Sequence, residues 1–183
     1  MAYFSNFPKI DYSNSTSRNI ILKAALVRSV IENNSVFYNY IIKEGQRADM
    51  VADEVYGNPT LDWVVYLSND IVDPFYDWPL DSSNFKRYLE KKYSKTIFEL
   101  QNQTSHYKYV GLTNESAVDI AKKSYKMTAL TYNSLPSVDR SGWSLVSVYD
   151  YEDELNEDKR SIRLLAPIYL NQISKELSEI FNT

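Results

Sequence analysis

The feature that most constrains this chain is the run Tyr56-Gly57-Asn58-Pro59, which breaks one amphipathic segment and starts another within four residues. Upstream, Ala48, Val51, Ala52 and Val55 share a helical face while Asp49, Asp53 and Glu54 lie off it. Gly57 then stands where a left-handed C-terminal cap belongs. Asn58 can accept hydrogen bonds as an N-cap, and Pro59 suits a first helical position. The second helix carries Leu61, Trp63, Val64 and Val65 toward the first and runs to Asn69-Asp70. Before both, residues 37–43 are aromatic and β-branched and predict a strand closed by a Glu44-Gly45 turn. The core of the protein therefore reads as strand, helix, helix.

A chain of 183 residues holds one ordinary core, or a small module within a larger α+β body, but not two large independent domains. With 44% apolar and 24% charged residues it has the balance of a chain that folds. Cysteine is absent and His106 is the single histidine, which removes disulfide frameworks, zinc fingers and Cys or His nucleophile systems. The opening residues lack a basic stretch followed by an apolar one, and no run approaches the ~18 apolar residues of a membrane span. Synthesis in a cytoplasm, with no membrane partner, is the expectation. A net charge of -4 argues against broad binding to nucleic acid. The basic residues Lys86, Arg87, Lys91, Lys92 and Lys95 interleave with Phe85, Tyr88, Leu89 and Tyr93 at helical spacing, the pattern of a helix with one wet face. Tyrosine numbers 16 against only 4 glycines. Tyrosine offers rigid contact area with a polar tip, which suits both a core and a half-wet protein interface.

The remaining segments complete an α+β reading. Residues 1–36 form an extended N-terminal arm, with Pro8, a polar run 13–17 and an apolar stretch 20–31. Residues 107–110, 127–132 and 144–149 read as short strands, with turns at Asn114-Glu115-Ser116 and 136–142, and the resulting sheet is expected to pack on the terminal helix. A helix carries Asp150, Glu152, Asp153 and Glu154 ahead of Lys159 and Arg160, a polarity that complements its dipole. Residues 161–165 suggest a strand, and Pro167 opens a last helix striped by Leu170, Ile173, Leu177, Ile180 and Phe181. The divisions are an arm at 1–36, a module at 37–80 and an α+β C-terminal region at 81–183.

Gly45-Gln46-Arg47-Ala48, Val51-Ala52, Tyr56-Gly57, Trp63 and Asn69-Asp70-Ile71 together resemble the LysM pattern over about 30 residues. The usual LysM ending, a turn and second strand, is replaced by Asp70-Ile-Val-Asp73-Pro74-Phe75-Tyr76-Asp77-Trp78-Pro79-Leu80. With that replacement the chain resembles the small LysM-like baseplate wedge proteins of contractile-tailed phages. The likeness extends to Tyr3-Phe4-Ser-Asn-Phe7-Pro8 and to the stretch from Leu155 through Lys159-Arg160 and Arg163-Leu164-Leu165 to Pro167 and Tyr169. The resemblance implies a structural virion component of the tail baseplate. Such a subunit bridges neighbouring wedge proteins and helps close a six-fold baseplate around its hub, with no cofactor, no metal and no catalytic residue. The fold likeness carries no glycan-binding activity with it.

Phe75, Tyr76 and Trp78, held between Pro74 and Pro79, are the candidate protein-interface residues, because rigid aromatics in a stiff loop lose little entropy on docking. The same loop suits folding back to plug the module's own core. Two rival functions are weighed against the wedge reading. A LysM-type peptidoglycan binder would use the loops near Gly45 and Asn69. A glycoside hydrolase would need a carboxylate pair among Asp70, Asp73, Asp77 and Asp81, but Asp70, Asp73 and Asp81 fall where turns and caps favour aspartate, and no phosphate loop, nucleophile elbow or metal motif is present.

Overall fold

A computed structural model describes residues 7–19, 35–111 and 125–181. It opens with strands β1 (Lys9–Tyr12) and β2 (Ser15–Arg18), followed by β3 (Phe37–Ile41), α1 (Ala48–Tyr56), a 3-10 turn at Pro59–Leu61, α2 (Asp62–Ser68) and the single turn α3 (Pro74–Asp77). Next come α4 (Ser82–Tyr93), α5 (Ile97–Asn102), β4 (Thr104–Tyr109), β5 (Lys126–Met127), α6 (Ala129–Ser134), β6 (Trp143–Ser147) and α7 (Val148–Asp158). The described chain closes with β7 (Ser161–Leu165), a 3-10 turn at Pro167–Tyr169 and α8 (Leu170–Phe181). The architecture is mixed α+β, divided into one compact unit of Met1–Pro79 with Lys159–Thr183 and a second of Leu80–Asp158.

In the first unit β3 pairs antiparallel with β7, Phe37 opposite Leu165 and Ile41 opposite Ser161. The helices cover this ribbon for the reasons their sequence gives. Gly57 adopts φ 69 and donates its N–H to Asp53, ending α1 in the left-handed cap that only glycine takes without strain. Asn58 caps the next turn through Thr60 N, with Pro59 at its first position. The break directs Val51 and Ala52 of α1 and Val65 of α2 onto Ile42, Ile162 and Leu164. Burying each of the valine, isoleucine and leucine side chains among them stabilises the fold by about 1.5–3 kcal/mol. A second cluster joins Trp63 and Val64 to Leu165 and Leu177, with Leu170 and Ile173 beside them. The terminal helix thus packs on α2 and β7. The side chains of Ile180 and Phe181 lie outside the described residues.

Within the arm, the polar run 13–17 supplies the turn and most of the second strand of the β1–β2 hairpin. Ser13 and Asn14 both have positive φ, as a two-residue type I′ turn requires, and Thr16 Oγ1 donates to Asp11. The remainder of the arm, residues 1–6 and 20–34, lies outside the described residues, as do 112–124 with their expected turn.

In the second unit Asp81 caps α4 through Ser83 and Asn84 N–H groups, and Thr96 with Glu99 forms a capping box on α5. Phe85, Leu89, Leu100 and Val148 make its core. A three-stranded sheet in the order β5-β4-β6 adjoins them. Two strand expectations shift here. Over 127–132 the strand stops at Met127, because the Thr128 hydroxyl accepts the Thr131 N–H and caps α6. Over 144–149 it stops at Ser147, whose hydroxyl accepts the Asp150 N–H and starts α7. The buried Glu152 carboxylate binds Lys92 Nζ at 2.8 Å and the Tyr93 hydroxyl at 2.5 Å, so the basic stretch on α4 contributes one of its cations to an internal pair. Asn156, also buried, receives Leu80 N–H at 2.8 Å and donates to Leu80 C=O at 3.0 Å. One side chain thereby ties the unit's entry to its exit.

The Asp81 carboxyl is held below its ordinary range, chiefly by the Asn84 backbone N–H, and Glu99 likewise by Thr96. Lowered carboxyl values contribute stability that is complete above the unfolded range of about pH 4 and is lost as pH falls through the folded value. Urea unfolding between about pH 5 and pH 2 should show declining stability. Asp81→Asn, which keeps the cap without the titration, should make that decline shallower.

Candidate protein-binding surface

Two loops of the first unit carry the candidate residues, 42–47 after β3 and 69–79 after α2. Gln46 organises the first. Its side-chain oxygen accepts Lys43 N–H at 3.0 Å, and its amide donates to Glu54 at 2.8 Å and to the Tyr40 hydroxyl at 2.9 Å. Lys43 closes the set on Glu54 at 2.6 Å. Hydrogen bonding to Lys43 lowers the Glu54 carboxyl and raises the Lys43 ammonium.

The second loop is rigid by its own chemistry. Asp73 accepts the Phe75 N–H and caps α3, whose first residue is Pro74. Asp77 accepts from Asp73 N at 3.1 Å and lies 3.3 Å from Val72 N. Lys159 Nζ donates to the Tyr76 carbonyl. Asp70 takes φ 53 in the turn after α2. Asp73 and Asp77 are spent on this loop and Asp81 on the cap of α4, so none of these three is set up as an acid or base against a substrate. Among the described residues no three metal-ligating side chains gather, and no helix is long and apolar enough to cross a membrane.

The three candidate aromatics part company. Phe75 is 88% exposed and Tyr76 69%, with Val72 also exposed beside them. Trp78 instead turns inward: its Nε1 donates to the Gln46 carbonyl at 2.8 Å, its ring meets Tyr66 edge-on at 5.9 Å, and it packs on the cluster around Val51 and Val65. Trp78 therefore fastens loop 69–79 to loop 42–47, while Phe75 and Tyr76 face outward. Burial raises the Tyr66 hydroxyl beside it, with Asp62 and Asp49 adding to the effect.

Sequence reasoning placed Asn69 at the close of a helix and near a rival glycan site, but did not give its bonding role. Its Oδ1 accepts Arg163 N–H and its Nδ2 donates to Arg163 C=O, both at 2.8 Å, so a side chain from the end of α2 occupies both backbone groups of a β7 residue. Its place at the close of a helix was legible; a partner 94 residues away was not.

The polar side chains of these loops are committed to holding loops and strands in place, an arrangement suited to a structural protein. A family profile described as Base plate wedge protein 53 matches residues 4–180, and the chain belongs to that family. Baseplate wedge protein gp53 of Enterobacteria phage T4 is 27% identical over 152 residues, which cover 77% of this chain and 71% of that relative. Family membership makes this a structural baseplate protein and not an enzyme.

Trp78→Ala removes packing and a hydrogen bond together and should lower unfolding stability by about 3 kcal/mol. Phe75→Ala should stay within about 0.5 kcal/mol of the parent. Thermal unfolding of the two variants side by side checks the difference.

Proposed function

We propose that the chain bridges neighbouring wedge subunits of a contractile tail baseplate and helps close its six-fold ring around the hub, with the outward turn of Phe75 and Tyr76 as a docking surface. The subunit is made in the host cytoplasm and carried in the tail baseplate. The observation that carries this reading is the Trp78 to Gln46 hydrogen bond, since it leaves two rigid aromatics exposed on a loop anchored at its base. Such anchors dock with little loss of entropy.

The module proposed for 37–80 is LysM-like in its order of strand, two helices and antiparallel strand, but it takes that second strand from β7 within the region 81–183. Unit Leu80–Asp158 is then an insertion between α2 and the strand that completes the module. The rival glycan reading needs the loops near Gly45 and Asn69 open to a sugar. Here Trp78 binds one of those loops and the Asn69 amide is committed to Arg163, which favours the structural role.

Particles assembled with Phe75→Ala/Tyr76→Ala protein should retain less of it than particles assembled with the parent, as read by quantitative mass spectrometry of purified tails. Deleting residues 1–36 should weaken assembly further. The parent protein should not sediment with insoluble peptidoglycan. Normal tail assembly in the absence of the protein, or its absence from intact particles, contradicts the reading.

A further inference from the structure

The β3–β7 ribbon has two edges, and the structure treats them differently. Arg163, opposite Asn39, directs both its backbone groups at the Asn69 side chain and hence away from β3. In an antiparallel ladder the bonded and non-bonded pairs alternate, so Asn39 likewise points its N–H and C=O away from β7. Phe37 and Ile41 share that direction. The even-numbered positions face β7, as the bonds from Ile42 N to Arg160 O and from Ala166 N to Val36 O require. The outer edge of β3 thus presents three backbone donors and three acceptors at Phe37, Asn39 and Ile41, and among the described residues no strand pairs with it.

Among the described residues this edge carries little of the usual protection, the Arg163 guanidinium over the Phe37 ring at 5.2 Å being the cation nearest it from β7. Natural edge strands carry outward lysines, prolines or bulges that discourage pairing. Residues 35–43 contain one charge, Lys43, and Glu54 neutralises it. Ile41 is 64% exposed and Tyr38 and Asn39 are exposed too. By contrast Asn69 blocks the β7 edge at Arg163, and the Tyr56 hydroxyl occupies the Leu165 carbonyl.

We infer that the outer edge of β3 is a strand-addition site that takes an extended, uncharged segment of another wedge subunit. The incoming strand exchanges backbone hydrogen bonds with Phe37, Asn39 and Ile41 and sets apolar side chains beside Phe37 and Ile41. Symmetry selects a different protein over a second copy. Pairing β3 with itself needs a two-fold axis, whereas copies related by a six-fold rotation meet through unlike surfaces. The inference rests on the wedge-bridging reading above.

The test is amide exchange by NMR on the full chain, free and bound to purified wedges assembled without it. Tyr38 and Tyr40 amides should be protected in both states, and Phe37, Asn39 and Ile41 only in the bound state. Asn39→Pro deletes one outward N–H without touching the β3–β7 ladder, a change edge strands tolerate. It should weaken wedge binding about tenfold, while Asn39→Thr binds like the parent. The exchange pattern of the parent decides the matter even if the proline variant does not fold. Wedge binding without new protection at the three odd positions overturns the inference and leaves the bridging role standing, as does unchanged binding by a folded Asn39→Pro. Protection already present in a free dimer overturns it in favour of a second copy. A parent chain that binds no wedge removes the bridging role and the inference together.

Discussion

The side-chain amide of Asn69 holds the backbone of Arg163 as a neighbouring strand would, and the first unit depends on that contact. α1 and α2 need a sheet face on which to bury Val51, Ala52, Val64 and Val65, and β3 alone is too narrow to supply it. The second strand arrives from beyond an intervening unit of its own. Bringing such distant segments together carries a loop-closure cost, which the ladder, the apolar cluster and the two bonds of Asn69 offset. Asn156 solves the same problem from the other side by clasping Leu80, where the intervening unit begins.

Polar chemistry in this protein is mostly structural. The aspartates that might have suggested catalysis hold turns and helix starts, each for its own local backbone reason. Gln46 and Glu54 knit the loop after β3, and Glu152 neutralises a lysine on α4 while accepting the Tyr93 hydroxyl. Two features stand out on the surface of the first unit: a stiff aromatic turn, and a strand edge with no strand partner among the described residues.

Much of the fold was legible because it is written in short-range chemistry. The stop at Gly57 and restart at Asn58-Pro59 follow from cap and φ preferences that a few residues decide. Residues 37–43, 161–165 and the wet face of α4 follow from periodicity. The strands placed at 127–132 and 144–149 ran too long because Thr128 and Ser147 offer the backbone a helix cap that propensity does not weigh. The aromatic loop was visible as a stiff Pro-bounded segment, yet its division into an inward Trp78 and an outward Phe75 and Tyr76 was not.

The sequence by itself determined where α1 stops and the next helical turn starts, that no cysteine is available and only one histidine, and that 69–80 departs from a LysM ending. Tertiary structure alone decided that β7 completes the ribbon begun by β3, that Trp78 bonds to Gln46, and that the terminal helix packs on Trp63 and Leu165. The physical reason is range. Caps, turns and periodic faces are set by atoms within a few residues, whereas strand partners and buried contacts are chosen by the closing of the whole chain, where many pairings satisfy the same local pattern and only one also buries the core.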